Sequence, residues 1–177
     1  MKLTGKRIAY LVDEGFEDLE FWVPLMRLRE EGARVTVVGA KMQTFHGKHC
    51  LEARPDALAD AVSADEFDAV VVPGGWAPDK LRRYTAVLSL VRGAYLQGKI
   101  VAAICHAGSV LISAGIVQGH KVTGSLGIKD DLVNAGAEWV DQPALRDGKL
   151  VWGRVVEDIP DFCRELVAAL VGEESAS

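Results

Sequence analysis

The chain has 177 residues, a net charge of −5, 49% apolar residues and 25% charged residues. That length suits one domain with a sizeable core, residues 1–177, with 172–177 expected to fray. The acid excess argues against general nucleic-acid binding, and no apolar run reaches the roughly 20 residues of a membrane span. The opening segment Met1-Lys-Leu-Thr-Gly-Lys6 leads straight into a strand-like run without a signal-peptide cleavage pattern. Cys50, Cys105 and Cys163 have no paired spacing, which points to a reducing, cytoplasmic setting.

Strand and helix periodicities alternate along the sequence. Arg7–Val12 reads as a buried first strand. Glu17–Glu31 follows as a helix whose buried face is expected to hold Leu19, Trp22, Val23, Met26 and Leu28. Pro24 predicts a kink in it and Gly32 a stop. Arg34–Gly39 is a second strand, and the polar stretch Lys41–Ala53 a loop or hairpin. Phe67–Pro73 is a buried strand ending at Gly74-Gly75. Thr85–Gln97 is a helix and Ile100–Ile104 a buried strand. A helical pattern opens after Cys105 and ends near Gly115. Gly119–Thr123 and Trp139-Val140 are short strand candidates on either side of a short helix, Ile128–Ala135. Ala144–Val155 suits a hairpin turning at Asp147-Gly148. Asp158–Val171 is an amphipathic helix with Asp158 and Pro160 marking its start. This alternation argues for a mostly parallel sheet covered on both faces, with ligands at the carboxyl ends of its strands. Asp13–Glu20, Pro73–Asp79 and Cys105–Ser109 all fall there.

Cys105 sits at a strand-to-helix turn, where unpaired N–H groups and the positive helix end are expected to lower a thiol pKa. A tight turn also holds the side chain proud of the sheet, as in nucleophile elbows. The other reading is a small buried core residue. His106 offers a base or an ion-pair partner, provided the turn brings the two side chains together. Glu17, Asp18 and Glu20 follow the first strand. Acids offsetting the helix dipole account for Glu17 and Asp18. Glu20 precedes Phe21-Trp22-Val23, and burial would keep its carboxyl protonated and able to donate to a thiolate. Gly74-Gly75 forms either an oxyanion hole of backbone N–H groups or simply a tight turn. His46, His49 and Cys50 form H-x-x-H-C, but the spacing matches no usual zinc pattern. A surface loop explains them, and no metal is expected. Cys163 belongs to the core.

Taken together, Phe16-Glu-Asp-Leu-Glu20, Pro73-Gly-Gly75, Ala103-Ile-Cys-His106, Leu111-Ile-Ser-Ala-Gly115 and Gly127-Ile-Lys-Asp-Asp-Leu132 form an ordered set. The protein resembles the ThiJ/PfpI family from Arg7 to about Leu170. The resemblance implies an α/β fold: a flavodoxin-like three-layer α/β/α sandwich with a mostly parallel central sheet, a cysteine nucleophile elbow and homodimeric or higher assembly. By it, Cys105 corresponds to the nucleophile, Glu20 to the acid that hydrogen-bonds its sulfur and His106 to the adjacent catalytic histidine. Gly74, Gly75 and Ala107 correspond to oxyanion and substrate-binding positions, and Glu17 to a second acid at the pocket mouth. Asp79 stands where relatives carry a glutamate that reaches a neighbouring subunit's histidine, so the acid here is one methylene shorter. The family's Cys-His-Gly-Pro is Cys105-His-Ala-Gly108 here. Its Ser-Tyr-Pro is Ser125-Leu126-Gly127, which is expected to make the pocket more apolar.

The implied activity is that of a cofactor-independent cysteine enzyme acting on reactive carbonyls in stress protection. Its substrate would be a small aldehyde such as methylglyoxal, or a glycated protein or peptide. The alternatives are a PfpI-type peptidase and a redox-sensing or chaperone-like stress protein. No nucleic-acid or membrane partner is expected.

Overall fold

The computed structural model describes residues 1–172; of the tail expected to fray, residues 173–177 lie outside the described residues. In sequence order, β1 (Arg7–Val12) leads to α1 (Asp18–Glu30) and β2 (Arg34–Gly39). A small antiparallel hairpin of β3 (Phe45–His46) and β4 (Glu52–Ala53) precedes β5 (Ala57–Leu58). Then come β6 (Ala69–Val72), α2 (Ala77–Leu81), α3 (Thr85–Leu96) and β7 (Ile100–Ile104). A single 3₁₀ turn, Cys105–Ala107, joins β7 to α4 (Gly108–Ser113). The remaining elements are β8 (Lys121–Val122), α5 (Lys129–Asn134), β9 (Glu138–Trp139), β10 (Ala144–Asp147), β11 (Leu150–Gly153) and α6 (Ile159–Val171).

Seven strands form one sheet in the order β10-β11-β7-β6-β1-β2-β5, parallel except for β10 at one edge. β1, β6 and β7 are buried runs rich in Ile, Val, Leu and Ala, as strands covered on both faces must be. α1 and α6 pack together on one face, and α2, α3 and α4 on the other. β8 and β9 pair only with each other, as a separate parallel ladder. The register places Val72 of β6 beside Ala103 of β7. The turns at Gly74-Gly75 and Cys105-His106 therefore leave the sheet side by side. β5 and α2 hold too few residues to give a periodic signal in the sequence.

α1 corrects the expected buried face. Its core-facing residues are Glu20, Phe21, Pro24, Leu25 and Leu28. Leu19, Val23 and Met26 are 48%, 42% and 59% exposed, so steps of four and three residues align them in an outward apolar row. The helix also runs uninterrupted through Pro24. Proline has no N–H, so the Glu20 carbonyl loses the donor four residues on. The buried Tyr10 hydroxyl supplies it instead, donating to the Glu20 carbonyl oxygen at 2.6 Å. This bond ties the backbone of Glu20 to β1, an interior strand of the sheet.

Tyr10→Phe is therefore expected to cost about 1–3 kcal/mol, because it leaves a buried carbonyl unpaired. Urea denaturation should show a smaller cost in a Pro24→Ala background, where residue 24 regains an N–H. Equal costs in the two backgrounds would rule out Tyr10 as the stand-in for the helix donor.

Candidate active site

Three strand ends converge on the site. The loop after β1 is stitched to the Gly-Gly turn after β6: the Glu17 N–H donates to the Gly74 carbonyl at 3.1 Å, and the Trp76 N–H to that of Gly15 at 2.7 Å. Gly75 has φ 79°, and a Cβ there would strike the backbone of Gly15, Phe16 and Glu17. A Cβ on Gly74 would collide with Glu20 Oε2 and the Cys105 Cβ. Only glycine lets the β6 end approach both groups.

Cys105 itself has φ 60°, a left-handed conformation uncommon for a residue with a side chain. The turn resolves the question of whether neighbours meet: Cys105 Sγ lies 3.3 Å from His106 Nδ1. The backbone N–H groups of His106 and Gly75 also donate towards the sulfur. Of the other two expected positions, the Gly74 N–H is committed to Glu20 Oε2 at 2.9 Å and Ala107 is fully buried.

Glu20 is 0% exposed, and burial pushes its carboxyl up to about 7. Its second oxygen, Oε1, has no partner of ordinary geometry among the described residues, and the carboxyl and the Cys105 thiol act on each other's protonation. Burial, followed by the charge of Glu20, pushes the Cys105 thiol up to about 12. A thiol lowered by its helix is thus not what the fold builds. α4 has only six residues, and desolvation beside an acid outweighs the two N–H groups. Instead, both Glu20 and Cys105 hold their protons more tightly than usual, with the buried carboxyl as the titratable neighbour of the thiol. A thiolate formed here would face the Glu20 hydroxyl and the N–H groups of His106 and Gly75. Burial and the charge of Lys48 lower the His106 pKa, so its imidazole is neutral at neutral pH.

The thiol opens into a cavity of about 330 Å³ bordered by Glu17, Glu20, Lys48, Trp76, His106 and Glu157. Lys48 Nζ pairs with Glu17 at 3.1 Å and lies 5.6 Å from the Trp76 ring centre. Lys48, Trp76 and Glu157 escaped sequence reasoning. Lys48 and Glu157 come from loops with no pattern; Trp76, directly after a strand-end Gly-Gly, was a legible signal. Asp79 does not touch His106 within its own subunit; its side chain is 66% exposed and pairs with Arg83. Leu126 is 73% exposed and lines neither cavity beside His106, so the expected apolar wall at that position is absent. His46 lies 3.6 Å from both Glu14 and Glu52, and His49 3.8 Å from Glu17. Glu17, Asp18 and His49 cluster, but Asp18 already accepts from the His49 and Leu51 N–H groups, an arrangement that anchors the β3–β4 hairpin. A larger cavity of about 520 Å³ lies away from the thiol, beside Arg27 and Arg164, whose charges are met by Glu30, Glu31 and Asp161.

An α/β sheet bearing a strained cysteine elbow, a buried carboxyl partner and an adjacent histidine defines a cysteine-centred site at strand ends. The protein matches the DJ-1/PfpI family over residues 6–169 and belongs to it. It is 42% identical to "Deglycase PH1704" of Pyrococcus horikoshii over 164 residues, covering 93% of this sequence and 99% of that one. It is 38% identical to "Protein/nucleic acid deglycase 2" of Escherichia coli, covering 94% and 98%. The crystal structure of Drosophila melanogaster DJ-1beta superposes with a TM-score of 0.88 at 29% identity, covering 95% and 91%.

The raised Glu20 pKa has a signed consequence. The folded state holds this proton more tightly than the unfolded state does, so the stability it confers at low pH is lost as pH rises from 4.5 through about 7. Relative to Glu20→Gln, the wild type should lose about 3 kcal/mol across that window in urea denaturation. A difference that stays flat with pH would place the Glu20 proton elsewhere.

Proposed function

We infer that this protein is a cysteine enzyme that removes reactive carbonyls, converting methylglyoxal or its early amine adducts to lactate. The observation that carries this reading is the Cys105 thiol set between a fully buried carboxyl, Glu20, and an imidazole whose Nδ1 lies 3.3 Å from the sulfur. The deglycase names of the relatives support it.

Each step draws on groups the protein supplies. Cys105 Sγ attacks the aldehyde carbon, and the resulting oxyanion takes the N–H groups of His106 and Gly75. His106 removes the hydrogen from that carbon as a proton and Glu20 protonates the adjacent carbonyl oxygen, giving an enediol. Return of the proton to the second carbon yields a lactoyl thioester. The first carbon is oxidised and the second reduced, so no outside oxidant is needed. Water then cleaves the C–S bond, releasing lactate and restoring the thiol. Lys48, paired with Glu17 at the mouth, offsets the acids lining the chamber. Peptide hydrolysis would draw on the same nucleophile. The carbonyl reading is preferred on the deglycase names of the relatives.

The outward row Leu19, Val23 and Met26 supports assembly into a homodimer or higher oligomer through α1, with Asp79 exposed for an inter-subunit contact. Three free cysteines among the described residues support a reducing, cytoplasmic setting, and no helix described is long and apolar enough to cross a membrane.

Lactate formation from methylglyoxal without glutathione tests the reading. Cys105→Ala should abolish turnover, and Glu20→Gln should lower kcat by about 10²-fold or more. Undiminished lactate from Cys105→Ala would overturn it. Separately, Val23→Glu with Met26→Glu should shift the species seen by analytical ultracentrifugation towards monomer. An unchanged mass would remove α1 from the interface.

A further inference from the structure

His106 stands between two cavities. Its Nδ1 faces Cys105 Sγ on the thiol side, at 3.3 Å. Its Nε2 faces the other way: a Cβ on Gly127 would sit 3.0 Å from it, and Gly127 lines a second cavity of about 450 Å³. Gly75 and Trp76 border both spaces, so the imidazole and this short wall are what separate them.

The walls of the second cavity carry a mixed set of groups. Lys80, Arg82, Ser109 and Asp131 face it from α2, the residue after α2, α4 and α5. Ser109 is 8% exposed, and its hydroxyl has no hydrogen-bond partner among the described residues. Asp79 is taken up by Arg83, which leaves Lys80 and Arg82 against the single acid Asp131. Arg82 donates Nε to Ser113 Oγ at 2.9 Å, which fixes its guanidinium in place. Lys80 also acts at a distance on the buried Asp13. The cavity thus offers one held guanidinium, an ammonium and an imidazole nitrogen.

Resting on the carbonyl-removing reading, we propose that this second cavity is the subsite for the amine that carries the adduct. Lys80 and Arg82 would bind a carboxylate on that amine: the α-carboxylate of a free amino acid or of a C-terminal residue in a peptide. The chemistry follows from the two faces of His106. In the adduct, one carbon bears both a hydroxyl and the amine nitrogen. The C–S bond forms as the C–N bond breaks. The Cys105 thiol proton passes to Nδ1, and the Nε2 proton passes to the departing nitrogen. The amine leaves neutral into the second cavity, the imidazole ends as its other tautomer, and Cys105 holds the same hemithioacetal that free methylglyoxal forms. No proton crosses bulk water.

The test is equilibrium binding to the wild-type protein by calorimetry, with Nα-acetyl-lysine and its C-terminal amide as probes. The acid should bind at least about tenfold tighter than the amide, and the Lys80→Gln/Arg82→Gln variant should erase that ratio. A tripeptide ending in lysine that binds as tightly as Nα-acetyl-lysine would identify peptide C-termini as the source; its exclusion would identify free amino acids. Equal binding of acid and amide, or binding of neither, would overturn the subsite. Lactate formation from free methylglyoxal reports separately on the carbonyl reading. Turnover without discrimination between acid and amide sinks the subsite alone, and discrimination without turnover sinks the reading of the reaction while leaving the binding site standing.

Discussion

A carboxyl with no exposed surface, Glu20, is the constraint around which the rest of the site is arranged. Burying an ionised carboxylate is costly, so such a group must be neutral, hydrogen-bonded or sharing a proton. Glu20 meets this condition through one backbone N–H and one thiol. The N–H comes from a position where any side chain would collide with the carboxyl, hence Gly74. The thiol comes from the neighbouring strand end, which the parallel register of β6 and β7 places alongside. The backbone of Glu20 is fixed in turn by Tyr10, filling the hydrogen bond that Pro24 removes from α1. A proline that looks like a helix defect therefore frees a carbonyl for β1 to hold, and the acid is anchored at both its backbone and its side chain.

The elbow shows a second consequence of the same geometry. Left-handed backbone at Cys105 is strained, and it persists because the flanking strand and turn over-determine it. The strain brings the sulfur beside the His106 ring and under two N–H groups. Reactivity in this setting comes from a partner that can give and take a proton. The helix macrodipole contributes little, because the helix is short and the thiol is desolvated. Gly108 completes the arrangement: a Cβ there would sit 3.2 Å from both Leu132 and Trp152, so the Trp152 indole occupies the space where the family's usual run has a proline.

Most of the order of strands and helices was legible in the sequence, because β1, β2, β6, β7 and α6 have strong periodicity and clear stops. Cys105, His106 and Glu20 were legible as candidates for the same reason: each lies next to a strand or helix boundary. The face of α1 was not, since Leu19, Val23 and Met26 are as apolar as the residues that pack inward. Periodicity alone does not say which of two apolar rows meets the sheet. Nor does composition reveal that the Gly74 N–H is spent on Glu20 while the Gly75 N–H faces the sulfur. That distinction depends on which way one peptide turns. Lys48 was invisible for a simpler reason: its place at the site arises only from contacts with Glu17 and Trp76, segments far from it in the sequence.

The two cavities beside His106 are built from different material. The thiol side rests on backbone: peptide N–H groups at strand ends, glycines that admit close approach, and one buried acid. The far side is made of side chains from α2, α4 and α5, elements that the sheet does not constrain in register. Chemistry is thereby held by the rigid part of the fold and recognition by the part free to vary. A neutral imidazole is the one side chain suited to the wall between them. It accepts a proton at one nitrogen while giving one up at the other, which an imidazolium cannot do. The burial that lowers the His106 pKa is accordingly part of how the two halves of the site communicate, because it keeps the ring uncharged between a sulfur that loses a proton and a space where one is needed.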